Sequence, residues 1–227
     1  PFGSAIPKIC SIAAAELQLF LTENQHKLRH NFGLEPNKPG PVKGKMFGVL
    51  VVETTHKVLG YLCTFSGTSE DETLTSMFVP SQVDVSRNNT GFTKSMTELT
   101  VLGNKIDALD AAGSRAEAQH LKAQRKAKSQ ELQHAIFDQY HFLNAAGASK
   151  SIWAIFKDHN NKKPPAGSGD CAAPKLLQYA FEHHLKPLAI GEFWWGATNK
   201  SNDRHHLNYY PACSEKCRPI LGYMLGE

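Results

Sequence analysis

Two apolar runs, MFGVLVVE and KVLGYLCTFSG, stand only three residues apart, at Thr54, Thr55 and His56. Their Val, Leu, Tyr and Phe content predicts strands, and the short gap predicts an antiparallel hairpin. Both runs are almost wholly apolar, so the sheet they start must be covered on both faces. A chain holding such a hairpin has to supply flanking helices. Residues 11–23 (SIAAAELQLFLTE) offer one, with Ile12, Leu17, Phe20 and Leu21 near helical spacing.

From about Gly91 the pattern changes. Met96, Leu99, Leu102, Ile106 and Leu109 form one helical stripe, and Leu132, Ile136, Phe137, Tyr140 and Leu143 a second. The alanine-rich, charged stretch between them lacks large apolar groups, which predicts a pair of long helices whose tip stands in solvent. After the polar stretch 157–170, CAAPKLLQYAFEHH predicts a helix with proline in its first turn, where no N–H is needed. Residues 185–196 predict a buried strand, and 211–225 a last helix opening near Cys213 and bent near Pro219. The expected fold class is α/β: residues 1–92 and 163–227 make two halves of a core, and 93–162 are an inserted helical hairpin.

Composition limits the function classes. The chain has 227 residues, with 25 basic and 21 acidic side chains and a formal charge of +4. That mild basicity permits a partner such as RNA without requiring one. The longest apolar run, Met46 to Val52, is far short of the roughly 20 residues of a membrane helix. The N-terminal residues lack a basic segment followed by an apolar one, so they do not read as a secretory signal. Five cysteines are an odd count in a chain this long. They point to a cytoplasmic protein with thiols reduced or metal-bound rather than to a disulfide scaffold. P-loop, Rossmann and nucleophile-elbow motifs are absent.

Three of the cysteines fall near predicted helix starts: Cys171 before one, Cys213 and Cys217 at another. Helix N-termini favour thiolates, and thiolates bind zinc. A fourth ligand would come from His205 or His206, or from water. The alternative reading is that these are small buried hydrophobes, the default for Cys10 and Cys63.

The arrangement resembles the zinc-dependent deaminase fold, in which a His or Cys followed two residues later by a catalytic Glu opens one helix and P-C-x-x-C opens the next. GDCAAPKLL stands in place of the first motif and PACSEKC in place of the second. The resemblance implies a deaminase-like core of hairpin, further strand and flanking helices. It also implies a structural zinc held by Cys171, Cys213, Cys217 and His206. The glutamate position is occupied by Ala173, and the cysteines are spaced C-x₃-C, so the implied scaffold lacks the reaction. A displaced acid/base would have to be Glu192 or Glu215, neither of which has the motif's spacing.

A longer resemblance covers nearly the whole chain. PPAGSGDCAAPKLLQYAFEHHLKPLAIGEFWWG, HLNYYPACSEKCRPILGYMLGE, GKMFGVLVVE and LQHAIFDQYHFLNAAGASKSIWAIF look like the N-terminal extension of a subset of RluA-type RNA pseudouridine synthases. This implies an accessory region that helps bind or position rRNA or tRNA for a catalytic domain expected beyond Glu227. No R-L-D motif occurs here, so no catalytic residue is assigned to this chain. Candidate phosphate contacts are Arg115, Lys122, Arg125, Lys126 and Lys128, against Glu117 and Glu131 in the same segment. Arg204, beside Phe193, Trp194, Trp195, Tyr209 and Tyr210, is a second candidate surface for unpaired bases. The alternatives are an ordinary solvated helix face and buried aromatics. A module of another class would use the helical stripes to dimerise or to dock the catalytic domain.

Overall fold

The computed structural model describes residues 6–68, 76–83 and 90–226. They form a mixed α/β protein of two compact units: residues up to Gln82 together with His141 onward, and Val83–Tyr140.

In the first unit, helix α1 (Lys8–Glu23) begins directly after Pro7. Its buried stripe is Cys10, Ala13, Ala14, Leu17 and Leu21, at helical spacing. The small side chains at 10, 13 and 14 face inward, while Ile12, expected inside, is 59% exposed. Strands β1 (Lys45–Glu53) and β2 (Leu59–Phe65) form the expected antiparallel hairpin. Strand β5 (Lys186–Trp195) pairs antiparallel with the other edge of β1, giving the order β2-β1-β5. Covering is uneven. β1 is buried along most of its length, whereas the first half of β2 is exposed, as suits an edge strand.

Alternation along β1 sorts the two faces. Phe47, Val49 and Val51 join the core that α1 covers, together with Phe65, Phe193 and Trp195. Phe47 sits at its centre, stacked on Phe193 with ring centroids 6.0 Å apart. Gly48 and Leu50 face the other way, towards helix α5 (Ala172–Glu182). A Cβ on Gly48 would stand 2.9 Å from the Ala172 Cβ, so glycine is what lets α5 lie this close. Residues Ala172, Ala173, Leu176, Leu177 and Ala180 are the buried face of α5. Helix α6 (Cys217–Leu225) packs behind α5.

Three sequence expectations are corrected here. The inserted unit is Val83–Tyr140, not 93–162. Residues after Tyr140 instead form a short hairpin of β3 (His141–Leu143) and β4 (Ser149–Ser151), followed by helix α4 (Ile152–Asn160), all in the first unit. The cause is local. Asn144 Oδ1 accepts from the N–H groups of Ala146 and Ala148, and Gly147 takes φ +80°, so the stripe ending at Leu143 is broken by a turn. Ser151 then caps α4 by accepting from Ala154 N–H. Lastly, α6 starts at Cys217, so Cys213 lies just before the turn 214–216, and Pro219 sits in the first helical turn, where it does not interrupt the helix.

The second unit contains α2 (Thr90–Ala111) and α3 (Arg115–Phe137), joined by the turn around Gly113. Apart from the turn at 112–114, the alanine-rich segment is helical, as expected. Leu99, Ile106 and Ala118 are buried, and most of α3 is exposed. Among the described residues no helix is long and apolar enough to cross a membrane.

Candidate metal centre

The Sγ atoms of Cys171, Cys213 and Cys217 lie within 4.8 Å of one another. The local chain explains each placement. Cys171 is the extended residue capping α5, and Cys217 is the first residue of α6. The turn 214–216 folds Cys213 back until its sulfur is 3.4 Å from that of Cys217. A tetrahedral ion with Zn–S bonds of ~2.3 Å needs sulfurs about 3.8 Å apart, a spacing between the 3.4 Å of Cys213 and Cys217 and the 4.8 Å that bounds the trio. All three are free thiols, and two are partly accessible.

The trio shares its protons unequally. The thiol groups of Cys171 and Cys217, then the backbone N–H groups of Cys217 and Lys216, hold Cys213 down to about 2. Cys171 is pushed up to about 12, chiefly by its bond to Cys213, and Cys217 is raised further by Cys171 and Cys213 together with burial. Cys213 is therefore the most acidic of the three, and a thiolate is a soft ligand.

Of the histidines weighed for the fourth position, neither joins the thiols. The Nδ1 of His206 accepts from Gly196 N–H at 3.0 Å, and its ring meets Trp195 edge-on at 4.6 Å. His205 Nδ1 is 3.5 Å from Thr198 Oγ1. The expectation of His206 as a ligand is therefore not met.

Glu192 is the carboxylate next to the cluster. It lies on β5 opposite Gly48 and is 8% exposed. Its Oε1 accepts from Ala173 N–H at 3.3 Å, while Ser66 Oγ accepts from Ala172 N–H. Burial pushes Glu192 up to about 7, with the Cys213 charge adding to the rise and Ala173 N–H and Arg204 opposing it. Beside it opens a cavity of about 470 Å³, walled by Leu50, Ala173, Leu177, Ile190 and Tyr210. Arg204 lies over the Tyr210 ring at 4.4 Å and is also paired with Asp203. Glu215 is exposed in the turn between Cys213 and Cys217.

Sequence spacing ranked Glu192 no higher than Glu215. The available signal was a single charge inside an otherwise apolar strand, since lone carboxylates are almost never buried without a reason.

The remaining candidates divide sharply. Phe193 and Trp195 are core, Trp194 Nε1 donates to Ala197 O, and Tyr209 packs edge-on against Phe193, so the aromatic run is mostly internal. In the helical unit, Lys122 pairs with Asp110 at 2.9 Å, Lys128 pairs with Glu98, and Arg125 Nε donates to Leu99 O. These three tie α2 to α3. Arg115 and Lys126 are exposed. Compared with protein-family models, with curated proteins and with solved structures, the chain matches none of them.

Proposed function

We propose that this chain is a zinc-holding α/β region that accompanies the catalytic domain of an RluA-type RNA pseudouridine synthase and helps present RNA to it. The observation that carries the zinc reading is the convergence of three thiols, two at helix starts and one just before the turn into α6, within 4.8 Å of one another. Zinc suits that donor set because it is borderline-soft and tetrahedral. The runs that resemble the synthase extension include GDCAAPKLLQ and PACSEKCRPI, which deliver those thiols.

A deaminase-like origin of the core is supported by the order helix, hairpin, helix, strand, helix around the sheet β2-β1-β5, with sulfurs at the starts of α5 and α6. The side chain at position 173 is a buried methyl, so the scaffold lacks a carboxylate at the motif's place. RNA handling draws on the exposed Arg115 and Lys126 and on Arg204 with Tyr210. Such contacts add affinity without reading sequence. A reducing cytoplasm is the compartment that keeps five free thiols available.

Elemental analysis of protein purified without a metal column tests the zinc reading. Near one zinc per chain is expected, and none would overturn it. An immunoblot of native cells tests the synthase reading: a band heavier by a domain of roughly 200 residues supports it, and one near 25 kDa removes it.

A further inference from the structure

We infer that the outer edge of β5, from Pro187 to Gly191, is a docking site for an extended peptide, which adds a strand to the sheet and sets a lysine or arginine against Glu192. The inference goes beyond the zinc and synthase readings above and depends on neither.

The first argument is the backbone. β5 is an edge strand, with β1 on one side only. Towards its end the other side is taken by the returning chain. Trp194 N–H donates to Asn208 O, Leu207 N–H to Trp194 O and Tyr210 N–H to Glu192 O. Residues 192 and 194 therefore turn backbone groups outward, and the alternation of an antiparallel pair does the same for Ile190. Among the described residues this outer pairing stops at Tyr210, and the N–H and C=O of Ile190 meet no backbone partner beyond it. Such an edge is a template for a further strand.

The second argument is shape. The cavity of about 470 Å³ is lined by every residue from Pro187 to Glu192. A cavity over one face of the sheet would meet alternate residues, so this one runs along the edge. It is overhung on both sides, by Ile6 and Pro7 at the start of α1 and by Leu177 of α5 with Leu225 of α6. Ile6 rests directly on the strand, since a Cβ on Gly191 would stand 2.6 Å from its Cδ1. The edge is thus recessed between two layers. A lone extended segment enters such a slot, whereas the edge strand of a second copy would bring its own covering helices into collision with these. Five residues of strand span ~17 Å, which sets the length of peptide that can pair here.

The third argument is charge. Glu192 is the one ionisable side chain that lines the slot, and it is 8% exposed. Its Oε1 accepts from Ala173 N–H, and among the described residues the other oxygen has no hydrogen-bond partner. Arg204 does not meet that need, because its guanidinium pairs with Asp203 and lies over the Tyr210 ring. A buried carboxylate with a free oxygen calls for a cationic donor, and a lysine or arginine at the Tyr210 end of the peptide supplies one. The apolar walls call for apolar residues along the rest of it. At the open end Lys186 is exposed and Pro187 has no N–H to offer, features that keep an edge from pairing indiscriminately.

The test uses the full chain, as wild type and as Glu192→Gln, which keeps an oxygen for Ala173 N–H but loses the charge. The probes are capped, dye-labelled hexapeptides of alternating valine and threonine, with one lysine placed at each position in turn, and the same set with glutamate. Fluorescence anisotropy should find a lysine register that binds the wild type at least about 10-fold more tightly than its glutamate counterpart. The same peptide should lose about 10-fold on Glu192→Gln. Amide hydrogen exchange, read by NMR, should slow at Ile190 when that peptide is added and stay unchanged in the α2–α3 pair.

Absence of binding by every lysine peptide at millimolar concentration overturns the inference. So does equal affinity for wild type and Glu192→Gln, or binding that leaves Ile190 exchange unchanged. An Ile190 amide already protected without peptide means that the chain itself or a second copy fills the edge, and overturns it as well. The exchange measurement needs only the wild type, so the inference stays exposed even if the variant folds poorly. Zinc content and the mass of the natural protein do not enter these outcomes, so failure here leaves the earlier readings standing.

Discussion

The α/β unit and the helical pair use their apolar side chains differently. In the first, β1 is buried on both faces, and the helices covering it present small residues, Ala13 and Ala14 on one side and Ala172 and Ala173 on the other. Backbones approach closely, and the polar groups caught between them, Glu192 and Lys175, are few and individually bonded. In the second, two helices of 22 and 23 residues bury little beyond Leu99, Ile106, Ala118 and Phe137, and two of the links between them are ion pairs at the surface. Exposed pairs contribute little. The lesson is that a chemical site needs the first kind of packing, because only there can a carboxylate be held close to a cluster of thiols.

The sharpest way to break this contrast is at the sulfurs. Cys213→Ser should abolish stoichiometric zinc and lower the melting temperature of the α/β unit, read by elemental analysis and calorimetry, because bound metal stabilises whichever state holds it. Arg115→Gln with Lys126→Gln should leave zinc untouched.

Next comes packing. Leu176→Ala, wholly buried under β1, should cost about 2–5 kcal/mol in urea unfolding. Val101→Ala, 47% exposed on α2, should cost less than about 0.5 kcal/mol. Equal costs would mean that the helical pair buries more than its surface indicates.

A buried lysine sharpens the comparison through pH. Lys175 is 3% exposed, donates to Gly67 O at 2.9 Å and lies over Phe65, and burial lowers it to about 8. Between that value and its ordinary 10.5 the unfolded chain keeps a proton that the folded protein has released. Stability therefore rises with pH through that window, by about 3 kcal/mol from this group. Lys175→Met should remove that rise, seen as the difference between the two proteins' unfolding free energies at the two ends of the window.

The smallest expected effect is at the helical surface. Arg115→Gln with Lys126→Gln should change stability by under about 0.5 kcal/mol. If they meet phosphates, the salt slope of RNA binding should fall by about 2. An unchanged slope would leave the helical pair with no role in binding.

Strong periodicity made α1, the β1–β2 hairpin, the long helices, α5 and β5 readable from the sequence, because each buries a face at a fixed repeat. What escaped was set by single residues and by distance. The β3–β4 hairpin depends on Asn144 and Gly147, which end a stripe that hydrophobicity alone would continue. The thiol trio was legible as residue types near helix starts, though the exact start of α6 was not. His206 looked like a ligand from its sequence neighbourhood, yet it is held by Gly196 and Trp195. Glu192 was legible only as an anomaly, since its meeting with Ala173 depends on the crossing of α5 over β1 and β5, which no local pattern records.

Gln82 and His141, the residues bracketing the helical pair, are hydrogen-bonded to each other, Gln82 Nε2 donating to His141 O. The α/β unit thus holds the two ends of the excursion side by side. The entropy of closing a loop grows only with the logarithm of its length, about 0.6 kcal/mol for each doubling. Whatever is strung between those two residues can lengthen, shorten or be exchanged at almost no thermodynamic expense to the sheet and its sulfurs. This junction is where the chain is freest to diversify, and where a new appendage would least disturb the chemistry beneath it.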